Sequence, residues 1–294
     1  MNEEPADLHG RVAMVTGATS GLGHAVAEGL ARRGARVVLA VRNRMKAEAA
    51  AADIKEASGN PEISYLLADL SSTSEIRSLC HRFRERFDRL DVLVNNAGAV
   101  FFRRRLSEDD LEMTFALNHL GYYTMTCLLS DILIESAPAR IVNVASESHR
   151  DAALDFNDLQ MKCGYGPLKA YGRSKLANVL FTYELARRLQ GVGVTANAVH
   201  PGLIKTEIAA NNGWIGRAAS KVMKLWARPV EEGAEAVLAL AADPELRGVT
   251  GQYFIGFHRK HSSPVSYDEV AALRLWEASA SLSGVRLSLP EDRR

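Results

Sequence analysis

"RVAMVTGATSGLGHAVAEGL", residues 11–30, decides how this chain folds. Val12 to Val15 is an unbroken apolar run, as a strand covered on both faces of its sheet requires. "TGATSGLG" follows at 16–23, and then "GHAVAEGLARRGA" reads as a helix ending at Gly34. A glycine-rich turn between strand and helix lets the backbone approach a pyrophosphate. It also aims free N–H groups and the helix's positive end at that anion. Gly17, Gly21 and Gly23 are spaced G-x-x-x-G-x-G, which is neither the common G-x-G-x-x-G nor a Walker A loop, since GK[ST] is missing. A tight turn alone would also call for glycine. Three glycines in the first strand–helix turn favour a nucleotide, held by Gly17, Thr19, Ser20, Gly21, Leu22 and Gly23.

The same rhythm continues outward. "RVVLAV" (36–41), "ISYLLADL" (63–70), "DVLVNNAG" (91–98), "ARIVNVAS" (139–146) and "VTANAVHPG" (194–202) read as further buried strands, and "KAEAAAADIKEA" (46–57) as a helix. Continuous apolar strands separated by helices imply right-handed crossovers. The expected fold is α/β: a single-domain, Rossmann-type, doubly wound parallel sheet spanning 1–294, with helices on both faces. Three stretches break the rhythm: 147–168, 203–228, and a C-terminal extension, 257–294, with a helix expected at 267–282. Excursions beyond the carboxyl ends of parallel strands are where ligands bind in this architecture.

Composition narrows the function classes. Lys plus Arg at 36 against Asp plus Glu at 35 leaves no basic excess for a nucleic acid. Cys80, Cys127 and Cys163 lack CxxC spacing, so neither a zinc site nor a disulfide framework is expected, and no metal cluster is visible. "MNEEPADLHG" has no apolar run, and no stretch reaches the roughly 18 apolar residues of a span. A cytoplasmic protein without signal peptide or membrane span is expected.

The second strand ends "LAVRNR", with Val41 where a site selecting NAD would offer a carboxylate to the ribose 2′-hydroxyl. Arg42 follows and suits a 2′-phosphate, so NADP is favoured over NAD. "YGRSK", 171–175, puts a phenol and an ammonium four residues apart on one helix face. That spacing also arises by chance in solvated helices.

Taken in order, "TGATSGLG", "NNAG" at 95–98, Asn118 in "ALNHLG", Ser146 in "VNVAS", "YGRSK" and "HPG" at 200–202 resemble the short-chain dehydrogenase/reductase family over about residues 10–256. "RSKLANVLFTYELARRL", "HPGLIKTEI" and "YDEVAALRLWE" are most similar to its retinol dehydrogenase-like branch, which includes relatives of protochlorophyllide reductase. The resemblance implies roles. Tyr171 would donate or accept the proton at the substrate oxygen, and Ser146 would orient that oxygen. Lys175 would hold the nicotinamide ribose and lower the tyrosine's proton affinity, and Asn118 would anchor a water in the relay. Asn95, Ala97 and Gly98 would flank the adenosine half and stabilise the sheet. Asp69 and Leu70 would meet adenine, and Pro201, Gly202 and Thr206 the nicotinamide end. Ala145 stands where the family's pattern has a first serine, but Ser146 keeps the second, which carries the role.

An unperturbed tyrosine titrates near 10, so bringing it to neutral pH requires roughly 4 kcal/mol of preferential phenolate stabilisation. A neighbouring ammonium favours the ionised form, and a serine hydroxyl can bond to the oxygen where charge develops. His149 and His119 read as structural histidines, and "FFRRRL" (101–106) as a solvated loop with two packed aromatics. Trp214, Ile215, Met223 and Trp226 suggest a lid over a hydrophobic substrate, with a membrane-contacting helix over 203–228 as the alternative. The expected protein is a homodimeric or homotetrameric NADP(H)-dependent oxidoreductase interconverting a carbonyl and an alcohol. A reductase of a conjugated C=C bond and a non-catalytic nucleotide-binding scaffold stay open as alternatives.

Overall fold

The run after Arg11 forms β1 (Val12–Thr16), buried along its whole length. The computed structural model describes residues 7–202, 204, 208, 212 and 229–289. Next come β2 (Arg36–Val41), β3 (Ile63–Leu67), β4 (Val92–Asn95), β5 (Ala139–Val144), β6 (Val194–His200), β7 (Tyr253–Ile255) and β8 (His258–Lys260). They form one sheet ordered β3-β2-β1-β4-β5-β6-β7-β8. Every pairing is parallel except β7 with β8. Chain direction across the sheet reverses between β1 and β4, which makes their carboxyl ends the switch point where a ligand crevice opens. The expected doubly wound α/β sheet is observed. Its β7 and antiparallel β8 were missed, because three residues each are too few to show a period.

Alternation within the strands sorts the core into two layers. Val12, Met14, Val38, Ala40 and Leu93 point to one face, and Ala13, Val15, Val37, Leu39 and Val94 to the other. The helices in chain order are α1 (Gly21–Arg32), α2 (Arg44–Ser58), α3 (Thr73–Arg84), α4 (Met113–Phe115), α5 (Gly121–Leu128), α6 (Ser130–Glu135) and α7 (Pro167–Arg188). Helices Val230–Ala242 and Glu269–Ser283 follow. The first face packs against α3, α5 and α7, the second against α1, α2 and Val230–Ala242. Local signals set the ends. Asn43 accepts from the Lys46 N–H to cap α2, and Gly59 closes it at φ +70°.

Glu269–Ser283 lies on α7, where Trp276 meets Tyr123 at 5.1 Å and Phe181 at 5.8 Å between ring centroids. The Arg188 guanidinium covers Trp276 at 4.3 Å. At the opposite end of the sheet from the crevice, the Asp91 carboxylate is 4% exposed and accepts from Arg11, Arg89 and the Val12 N–H. Among the described residues no helix is long and apolar enough to cross a membrane, and no cluster of metal-ligating side chains occurs.

Candidate active site

The motif residues converge because each follows the carboxyl end of a neighbouring parallel strand. The glycine turn follows β1, Arg42 follows β2, Asp69 follows β3, Ala97 and Gly98 follow β4, Ser146 follows β5, and Pro201 and Gly202 follow β6.

In the glycine turn, Gly17 (φ +68°) and Gly21 (φ +56°) adopt the left-handed backbone that side chains resist. Open space lies over Gly21, where an added Cβ would meet nothing within 4 Å. Gly23 needs its bareness for another reason: a Cβ there would lie 2.5 Å from Asn96 Nδ2 and 2.7 Å from the Gly17 carbonyl. Ser20 caps α1 without a side-chain hydrogen bond, and no acid occupies the helix's first turn. First-turn N–H groups and the positive helix end therefore suit a phosphate. Thr16 Oγ1 locks turn to strand, accepting from the Asn96 and Ala97 N–H groups, while Asn96 Nδ2 donates to the Thr16 carbonyl at 2.8 Å. These residues fit the diphosphate of a dinucleotide.

At the rim, the Arg42 side chain is 59% exposed and lies 3.6 Å from the Asp69 carboxylate, which also accepts from the Ser71 N–H and hydroxyl. Leu70 is buried in the core, and its carbonyl faces Gly121. Asn95 sits inside the sheet opposite Asn143, donating to Thr126 Oγ1 at 3.0 Å and Asn143 Oδ1 at 2.9 Å. Asn143 in turn donates to Thr182, so this polar ladder ties β4 and β5 to α5 and α7.

Asn118 lies in a π-helical turn, Ala116–Leu120, a form that recurs at functional sites. It is fully buried: its Nδ2 donates to the Ala99 carbonyl and Ser174 Oγ, and its Oδ1 accepts from the Ala99 N–H. Ser174 Oγ donates to the Tyr171 carbonyl at 2.7 Å. Asn118 thus clamps the segment after β4 against α7 at the turn that carries Tyr171. Sequence reading overlooked Ser174, although it lies inside "YGRSK".

Ser146 Oγ, partly exposed at the end of β5, donates to Ser148 Oγ at 3.2 Å and favours the ionised form of the nearby Tyr171 hydroxyl. Lys175 is 2% exposed, and its Nζ donates to the Val144 carbonyl at 2.8 Å and lies 5.6 Å from the Tyr171 ring centroid. Burial pulls this ammonium down to about 7. The expectation that Lys175 makes the phenol unusually acidic needs correction here. Burial, opposed by the nearby Ser146 hydroxyl, pushes Tyr171 up to about 12, so the phenol is held as the acid. The second neighbour of Lys175 is Tyr122, whose ring centroid is also 5.6 Å from Nζ. Tyr122 follows Asn118 by four residues, and that helical spacing was the available signal for it.

Gly202 has φ +91° and open space at its Cβ direction. Thr206, Trp214, Ile215, Met223 and Trp226 lie outside the described residues. His149 is buried beside the site, its Nδ1 paired with the Ser146 carbonyl and its Nε2 accepting from the Ser263 N–H. His119 is buried between Asn178 and Ser279, and burial pulls it down to about 4. Phe101 is buried, Phe102 partly so, and Arg103 and Arg105 are exposed.

The chain is similar to known proteins. The family model for short chain dehydrogenases matches residues 11–213. Human retinol dehydrogenase 13 is 42% identical over 286 residues, covering 95% of this chain and 86% of that protein. A crystal structure of a protein from Mycobacterium paratuberculosis is 31% identical with TM-score 0.79, covering 97% of this chain and 98% of that one. The active-site complex of Pseudomonas aeruginosa RhlG with NADP is 29% identical with TM-score 0.67, covering 86% and 97%. The chain therefore belongs to the short-chain dehydrogenase/reductase family, in its retinol dehydrogenase-like branch, and is an oxidoreductase that uses an NAD(P) nucleotide.

Proposed function

We propose that this enzyme interconverts a carbonyl and an alcohol on an apolar small molecule, with NADP(H) as its nucleotide and Tyr171 as its acid–base group. One observation carries the reading: Ser146, Tyr171 and Lys175 come together beyond the carboxyl ends of the strands, with the buried ammonium 5.6 Å from the phenol ring and Ser146 acting on its hydroxyl. When bound, the nicotinamide supplies or takes up the hydride. Tyr171, protonated at neutral pH, donates its proton to the oxygen that becomes the alkoxide in reduction. Ser146 Oγ orients that oxygen, and Lys175 supplies the positive charge that favours the phenolate left behind. Arg42, exposed where Val41 replaces an acid, supports NADP. The similarity to human retinol dehydrogenase 13 supports an apolar alcohol as the substrate class.

The test is reduction of apolar aldehydes and ketones with NADPH deuterated at its transferable position. Label on the carbinol carbon is the expected product. Label on a saturated carbon of an enone would assign C=C reduction instead, and no transfer across the panel would overturn the reading.

A further inference from the structure

The backbone of Ser146 is held as firmly as its side chain. Its carbonyl accepts twice from one residue, from the His149 N–H at 3.1 Å and from His149 Nδ1 at 2.7 Å. A carbonyl only accepts, so Nδ1 carries the ring proton. Nε2 is then an acceptor, and it takes the Ser263 N–H at 3.0 Å. Both nitrogens of a fully buried imidazole are thus used, one toward the site and one toward the C-terminal extension. The neighbours of His149 repeat the pattern. Glu147 accepts from the Tyr253 hydroxyl at 2.7 Å, Arg150 donates to the His261 carbonyl at 2.8 Å, and the His149 ring lies 4.9 Å from that of Tyr253. On its other side this turn abuts α7 beside Tyr171, where a Cβ added to Gly172 would come within 2.8 Å of the Ser148 carbonyl.

We propose that His149 is a positioning residue for the reaction: it ties the peptide that follows Ser146 to the C-terminal extension and so holds Ser146 Oγ in register with Tyr171. The inference rests on Ser146 orienting the substrate oxygen. A carbonyl fixed by two donors resists rotation of its peptide plane, and the direction of the Ser146 Cα–Cβ bond follows from that plane. Displacing a positioned group by about 1 Å costs on the order of 10²-fold in rate. Phenylalanine would fill the space beside Tyr253 and supply neither bond. Asparagine would return an amide N–H to the place of Nδ1 and give up the contact with Ser263, whereas glutamine would do the reverse.

The experiment measures kcat, NADPH affinity and thermal stability for wild type, His149→Phe, His149→Asn, Ser146→Ala and the double variant of Ser146→Ala with His149→Phe, all reducing an apolar aldehyde. His149→Phe should lower kcat about tenfold with NADPH affinity unchanged, and His149→Asn should recover most of that loss. Ser146→Ala should itself lose about 10²-fold. A role exercised through Ser146 Oγ predicts non-additivity. Where that oxygen is gone and the same backbone remains, adding His149→Phe should lower kcat by less than about twofold. A second tenfold loss in the double variant would overturn the proposal, because it would mark a general effect on the fold. Wild-type kcat in His149→Phe, or no recovery in His149→Asn, would overturn it too. If His149→Phe does not fold, His149→Gln, which keeps an acceptor for Ser263, enters the same cycle with the same outcomes. If Ser146→Ala keeps full turnover, the reading of Ser146 itself fails. If Ser146→Ala is impaired while His149→Phe behaves as wild type, only the role of His149 fails.

Discussion

Lys175 shows how function opposes stability at a single residue. Its ammonium is buried with one hydrogen bond among the described residues, and burial moves it from 10.5 down to about 7. Below about 7 the folded and unfolded states both hold the proton, and the full cost of burying the charge weighs on the fold. Between about 7 and 10.5 the unfolded chain binds a proton that the folded one has released, so stability rises with pH across that window. Lys175→Met, without added nucleotide at neutral pH, should therefore melt at least about 2 °C higher than wild type and be inactive. Differential scanning calorimetry at neutral pH and above pH 10 checks this, because the gain should shrink at the higher pH. On the proposed NADP reading, Arg42 acts on selectivity instead. A charge-assisted hydrogen bond to the 2′-phosphate is worth about 10- to 100-fold in affinity, so Arg42→Ala should weaken NADPH by that factor and leave NADH nearly unchanged. Equal losses for both nucleotides, measured by fluorescence titration, would remove Arg42 from the selection. What the sequence could not reveal at this scale was the direction of Tyr171's shift. Spacing shows that phenol and ammonium share a helix face, but only the folded crevice shows that burial pushes the phenol up.

Among the elements, the glycine turn was legible because its chemistry is local. A strand, three glycines and a helix in immediate succession imply the backbone path without knowledge of the remaining chain. The packing behind it was not. Gly23 reads as part of the nucleotide cradle, and its missing Cβ also makes room for Asn96 and the Gly17 carbonyl. Gly23→Ala should cost about 1–3 kcal/mol through this overpacking and weaken NADP(H) by displacing the turn. Urea unfolding paired with nucleotide titration checks both, and a variant with unchanged stability would show that Asn96 can yield. The ladder of Thr126, Asn95, Asn143 and Thr182 was similarly hidden. Its members come from four elements, and only the register Asn95↔Asn143 brings them together. The short strands β7 and β8 escaped for want of length, while the C-terminal helix, expected at 267–282 and found at Glu269–Ser283, announced itself by its apolar spacing.

At the scale of the whole molecule, the sheet separates two tasks. Its carboxyl end carries the groups proposed to react, and its amino end carries braces such as Asp91. Burial raises the Asp91 carboxyl, but Arg89, the Val12 N–H and Arg11 together hold it below the usual range. A depressed carboxyl stabilises the fold above its unfolded value, and that stability is lost as pH falls through the lowered one. Asp91→Ala should cost about 1–3 kcal/mol at neutral pH, the two arginines being exposed enough to hydrate, and the deficit should fade in acid. Nucleotide affinity should not change, because the crevice is at the other end. The claim on which the enzyme stands is the acid at the switch point, and it is tested most directly by steady-state reduction of an apolar aldehyde by Tyr171→Phe saturated with NADPH. Turnover should fall by about 10²- to 10⁴-fold while NADPH binds as in wild type. Undiminished turnover by that variant would contradict the assignment.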